Sequence, residues 1–242
     1  MPFVSPNHVV ILVDAPTTPQ GDVELPPDFL RLTQTLTDAI LQPLPIADPP
    51  PTVTLASTHP SGLSIPSEAM LIPLTLDVPD SLEFSGRSLY ATCRDVDSLR
   101  QQVQTQMNVQ VGEGSYWLPV VWTAKGPLYA EVIRRGVLNP DGYMQPMHLG
   151  DRWRQPLYRF AHQLLTHLQA TPAVYLLKFG FEQQLLVFDR VFPFPDLPAI
   201  ASIGVQTPDL LTCHWRCLTH QPILDVAIAS PVQYAIFDPA MA

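Results

Sequence analysis

The run HVVILVD, residues 8–14, is apolar at almost every position and predicts a first strand. After a polar loop, PPDFLRLTQTLTDAILQP repeats Phe29, Leu32, Leu36 and Ile40 at helical spacing; prolines precede its start and Pro43 ends it. TVTLAS (52–57) alternates as a strand does. So does AMLIPLTLD (69–77), where Pro73 argues for an edge position or a bulge. RSLYATC (87–93) predicts another short strand. In DVDSLRQQVQTQMNV, Asp95 or Asp97 can cap a helix that carries Val96, Leu99 and Val103 on one face. Gly112-Glu113-Gly114 then reads as a turn into the strand YWLPVVW, 116–122.

The second half is more sharply patterned. YAEVIRRGVL leads into a turn at Asn139-Pro140-Asp141-Gly142. RQPLYRFAHQLLTHLQ, 154–169, aligns Leu157, Phe160, Ala161, Leu164, Leu165 and Leu168 in one stripe and predicts a helix, stopped by Thr171-Pro172. AVYLLKFGFE and LLVFDRVF follow as two strands around Gln183-Gln184, a hairpin without Asn-Gly chemistry. A two-residue turn there sets Lys178 opposite Asp189, a cross-strand ion pair worth roughly 0.2–1 kcal/mol. A last helix is expected from Thr207-Pro208-Asp209, with Thr207 as cap, to about Thr219.

This order predicts an α+β fold: a mixed, mainly antiparallel sheet or sheets with three to four short helices packed on one side, joined by proline-rich connections. Two parts are expected, an acidic α+β part over 1–124 and a helix/β-hairpin/helix part over 125–242, which could also form one continuous domain. No repeat of 20–50 residues is visible.

Composition sharpens this picture. Proline, at 28 of 242 residues, is more than double its usual share of about 5%. Each proline fixes φ and removes a donor, so elements must be short; PLPIADPPP (43–51) reads as a rigid connection. Hydrophobic residues at 46% and charged residues at 14% argue against disorder. No apolar run reaches the roughly 18–20 residues that span a bilayer, and the N-terminus lacks a basic region before its apolar stretch. With three cysteines and no disulfide framework, a soluble, cytoplasmic protein is expected.

Charge is uneven. Residues 1–86 hold ten carboxylates and a single base, Arg31, and so carry the whole net charge of −9. Arginine and aromatic residues gather later: Arg134, Arg135, Arg152, Arg154 and Arg159, interleaved with Tyr143, Trp153 and Tyr158. Guanidinium groups beside planar rings suit anions or a partner surface. A pI near 5.0 argues against nucleic acid, which needs a broad positive field.

TCHWRCLTH (212–220) offers the densest set of metal-ligand types, with Cys213, Cys217 and His220 on one helical face. At about 1.5 Å per residue, Cys213 and His220 stand about 10.5 Å apart along the axis. Bonds of roughly 2.0–2.3 Å cannot converge on one ion across that span, so a core-packing helix is expected and no metal. His162 and His167, five apart, diverge. The Walker, zincin, nucleophile-elbow and EF-hand signatures are missing.

Lysine occurs only at Lys125 and Lys178. Lys125 follows a strand and precedes Gly-Pro, where a phosphate could approach. The run from helix 154–169 through the strand pair to FDRVFPFP resembles the last part of ATP-grasp ligases, in which the second strand presents a metal-binding carboxylate and amide before a proline. Asp189 and Val191 stand at those places, so one of the two ligands is kept, and a glycine-rich phosphate loop is lacking. The resemblance covers a minority of the chain and implies a nucleotide-binding relic.

Charge layout and the lack of a complete catalytic set lead to the expectation of a non-enzymatic cytoplasmic binding or assembly factor, without cofactor. It would dock another protein through its acidic part and through Arg134, Arg135, Arg152, Trp153, Arg154 and Arg159; a small anionic ligand is the other partner open to that patch. The alternative is a nucleotide-dependent ligase or transferase, or a degenerate ATP-grasp-like nucleotide-binding protein, using Lys125, Lys178, Asp189 and Arg190.

Overall fold

A computed structural model describes residues 6–42, 50–59, 65–66, 68–136 and 142–229. The elements run β1 (His8–Val13), α1 (Pro27–Leu41), β2 (Thr52–Ser57), β3 (Met70–Pro73), α2 (Arg87–Arg94), α3 (Val96–Met107), β4 (Gln110–Val111) and β5 (Tyr116–Thr123). They continue with β6 (Gly126–Tyr129), β7 (Val132–Arg135), β8 (Tyr143–Met147), α4 (Asp151–His167), β9 (Ala173–Glu182) and β10 (Leu185–Phe192). A 3-10 turn (Leu197–Ser202), β11 (Gln206–Thr207), α5 (Leu210–Leu218) and β12 (Ala227–Ile228) complete the order. The Asn139 turn and most of 43–51 lie outside the described residues.

Two main sheets result. β1 lies between β2 and β3, parallel to both. Residues 9–13 are buried throughout, as in a strand covered on both faces. The larger sheet has the order β4-β10-β9-β5-β7-β8, with β6 also paired to β5. Among the described residues, the only parallel pairing within it is that of β4 with β10.

The larger sheet divides its side chains between two cores by the two-residue period of its strands. Trp117, Val121, Ile133, Val174 and Leu176 enter a core with β1, α1 and α5. Leu118, Val120, Val132, Tyr175, Leu177 and Phe179 enter a second core with α3 and α4. The mixture of sheets and helices agrees with expectation. Two parts of it are corrected. The described residues hold five α-helices and a 3-10 turn, on both faces of the larger sheet, because both faces of β5 and β9 are apolar. The N-terminal sheet is parallel, since α1 carries the chain from β1 across to β2.

Local corrections have local causes. Residues 87–94 are helical, because Leu89, Tyr90 and Cys93 can be buried together only at helical spacing. Asp95 caps α3, accepting from the Ser98 N–H at 3.1 Å. α5 starts later than expected: its cap is Asp209, which accepts from the N–H groups of Leu211 and Thr212 at 2.9 and 3.0 Å. At the β9–β10 turn, Gln183 and Gln184 take φ of 49° and 62°, the left-handed pair that suits a two-residue hairpin.

Candidate anion-binding site

Asp189 sits in a β-bulge. Phe188 pairs with Phe179 and Arg190 pairs with Lys178, so Asp189 is the extra residue of β10. The expected facing of Lys178 and Asp189 is therefore shifted by one position. Their ion pair forms all the same, at 2.8 Å, and its carboxylate is only 1% exposed.

Three cations surround this carboxylate. Lys178 Nζ reaches Oδ2, while Arg100 Nη2 and Arg190 Nε reach Oδ1 at 2.6 and 3.1 Å. The Gly114 N–H donates to Oδ2 at 3.0 Å. Arg100 also clamps the bulge, donating from Nε to the Asp189 carbonyl at 2.9 Å and from Nη2 to the Gly112 carbonyl at 3.4 Å. Burial alone would push the Asp189 carboxyl up, but the hydrogen bonds from Lys178, Gly114 and Arg190, with the Lys178 charge, hold it at about 2.

Glycine makes the approach possible. A Cβ on Gly114 would lie 2.4 Å from the Phe179 carbonyl oxygen, and one on Gly180 2.6 Å from that of Glu113. Gly112-Glu113-Gly114 is thus a backbone segment pressed onto β9, which its reading as a turn missed.

The surroundings hold charges of both signs: Arg135 lies near the cluster, and Asp196 and Asp28 act on the neighbouring Tyr143. Lys178 Nζ lies 5.9 Å from the Trp117 ring centroid. The Arg135 guanidinium carbon is 5.9 Å from the same centroid and 5.5 Å from that of Tyr143. Arg100, Lys178 and Arg190 keep 25%, 24% and 37% of their side chains exposed, so donors remain accessible beside the sealed carboxylate. Three cations against one carboxylate leave a local surplus of positive charge.

A divalent metal, which the resemblance to ATP-grasp ligases implies at this position, does not fit these residues. Both Asp189 oxygens already accept from cations or an amide, and three positive groups would repel the ion. Val191 is fully buried in the apolar core, and its side chain has no ligating atom.

The structure gathers Lys178, Asp189 and Arg190 of one expected set with Arg135 of the other. It adds Arg100, Gly114 and Trp117, for which periodicity gave no functional signal. Lys125 lies in the β5–β6 turn, its N–H donating to Thr123 Oγ1 at 3.1 Å. Thr123 is six residues along β5 from Trp117, about 20 Å away. Arg134 is partly buried on β7. Arg152 stacks 4.9 Å from the Trp153 ring centroid, Arg154 pairs with Asp151, and Arg159 is exposed, all on α4. The arginine set is thus spread over separate elements.

The segment 212–220 packs inward. Cys213, His214, Trp215 and Cys217 are buried, and burial pushes the Cys217 thiol up to about 12. His214 Nδ1 accepts the Val174 N–H at 3.1 Å, and burial lowers the imidazole to about 3. Among the described residues, no group of three His, Cys, Asp or Glu could hold a metal ion. No helix among them is long and apolar enough to cross a membrane.

An open cleft of about 350 Å³ lies past the carboxyl ends of the parallel strands, lined by Thr58, His59, Asp77, Asp80 and Arg94. His59 Nε2 meets Asp14 there at 2.9 Å. Parallel sheets commonly take ligands at such strand ends.

No protein-family model and no curated protein matches this chain. Solved structures share its fold. An N5-carboxyaminoimidazole ribonucleotide synthetase in complex with ADP superposes with a TM-score of 0.64 at 7% identity, over 93% of this chain and 80% of that one. Carboxyaminoimidazole ribonucleotide synthase from Aspergillus clavatus, complexed with ATP, gives 0.62 at 8% identity, over 90% and 78%. Glycinamide-RNase-transformylase T from Mycobacterium tuberculosis gives 0.60 at 13% identity, over 91% and 82%. The likeness of fold to these structures covers nine-tenths or more of this chain. It overturns the expectation of a non-enzymatic assembly factor with a protein as its main partner, because the fold is one found in enzymes solved with ADP and ATP. Charge asymmetry misled, since solvated acidic surface is compatible with either kind of protein.

Proposed function

We propose that this chain binds a nucleoside polyphosphate and uses it in a ligase or transferase reaction, with the phosphates held by Lys178, Arg190 and Arg100. The observation that carries this reading is the convergence of three partly exposed cations on one buried carboxylate. Asp189 acts as a positioning residue. It fixes an ammonium and two guanidinium groups in advance, so little side-chain freedom is lost when an anion arrives. Such groups also offset the negative charge that spreads over phosphoryl oxygens during transfer. Arg135 and Lys178 each stand 5.9 Å from the Trp117 ring centroid, which makes Arg135 a further cation near the cluster. Lys125 stands too far along β5 to join them. Support also comes from the fold shared with enzymes solved with ADP and ATP.

Thermal unfolding with ATP and ADP tests the reading. Ligand at about a hundred times Kd stabilises a protein by about 2.7 kcal/mol, which raises the midpoint of a chain this size by roughly 5–10 °C. An unchanged midpoint with every nucleoside di- and triphosphate would contradict it.

A further inference from the structure

We infer that phosphate binding at this cluster does not depend on a divalent metal ion, the fixed cations of Lys178, Arg100 and Arg190 standing where a metal would otherwise supply positive charge. The inference rests on the nucleotide reading above and goes beyond it by naming the form of the ligand: the metal-free polyphosphate anion.

The donor set carries it. A carboxylate serves a hard cation by offering oxygen lone pairs. At Asp189, Oδ1 accepts from Arg100 and Arg190, and Oδ2 from Lys178 and Gly114. A metal ion at either oxygen would have to displace these donors and then sit beside three positive charges. An anion meets the opposite conditions. Arg190 binds Asp189 through Nε alone, leaving its outer nitrogens for a phosphate, and Lys178 has ammonium donors beyond the one aimed at Oδ2. Glu182, whose carboxylate lies against Gly112, is an acid near this edge of the sheet. It belongs to an exposed strand end, and the ion pairs of Arg100, Lys178 and Arg190 are made with Asp189.

A metal-bound polyphosphate carries less negative charge than the free anion. Cations built into the protein therefore favour the free form. Equilibrium titration of the whole protein with ATP would be run in buffer stripped of divalent ions by a chelating resin, and again with excess magnesium. The expected result is an affinity in the stripped buffer equal to or tighter than that with magnesium. A loss of more than threefold on removing magnesium overturns this inference and leaves the proposed function standing. Binding in neither buffer removes both. A parallel titration with manganese alone should show no saturable binding; a stoichiometric site lost in an Asp189→Asn variant that circular dichroism shows to be folded would also overturn the inference.

Discussion

Lys178 Nζ stands 2.8 Å from Asp189 Oδ2, although the residue that pairs with Lys178 across the strands is Arg190. The bulge allows both facts. It turns Asp189 inward, below a surface on which Lys178 and Arg190 emerge side by side. One buried negative charge thereby holds several positive ones at the protein's edge.

Asp189→Asn should destabilise the fold by about 3–5 kcal/mol, because it leaves cations assembled around a neutral group. The pH dependence has a definite sign. The folded carboxyl titrates at about 2, below the ordinary 3.8, so its stabilisation is complete above about pH 4. It is lost as pH falls through about 2, by roughly 2–3 kcal/mol. Urea unfolding at several pH values should show this acid loss in the wild type and a flatter profile in the variant. Equal profiles would mean that Asp189 is not held as described.

Gly114→Ala and Gly112→Ala should differ sharply. The first places a methyl 2.4 Å from the Phe179 carbonyl oxygen, against rigid strand backbone. The second meets the end of the Glu182 side chain at 2.6 Å, which can swing away. A cost of about 3 kcal/mol or more is expected for Gly114→Ala and of about 1 kcal/mol or less for Gly112→Ala, read from chemical denaturation midpoints. Similar costs would show that the close contact of 112–114 with β9 is absent.

His214 gives a second pH signature. Burial holds its imidazole neutral down to about 3, whereas an unfolded histidine titrates near 6.5. The unfolded chain therefore takes up a proton first, and stability should fall by about 2 kcal/mol between pH 7 and pH 5. His214→Asn keeps an acceptor for the Val174 N–H and removes the titration. It should flatten that interval in thermal or urea unfolding; an unchanged slope would assign the effect to another group.

Much of the framework was legible. Leu157, Phe160, Leu164 and Leu165 are buried on one face of α4 as their spacing required, and the two apolar runs around Gln183-Gln184 form the expected hairpin. The unbroken apolar stretch AVYLL also signalled a strand covered on both faces, which a fold with helices on one side ignores. The bulge was not legible. Its geometry depends on Arg100 and Gly114, 89 and 75 positions away in sequence from Asp189. Arg100 follows Leu99 on an amphipathic helix, where arginine ordinarily marks a solvated face. Gly112-x-Gly114 matched a turn equally well, because only the tertiary approach of β9 distinguishes a turn from a pressed backbone.

The cations at Asp189 are tested most directly by equilibrium dialysis of ATP against the wild type and against a Lys178→Gln, Arg190→Gln variant. Circular dichroism would confirm that both are folded. The account predicts that the variant binds at least about tenfold more weakly, a loss of about 1.4 kcal/mol. Equal affinity in a folded variant would contradict it and place any nucleotide elsewhere on the chain.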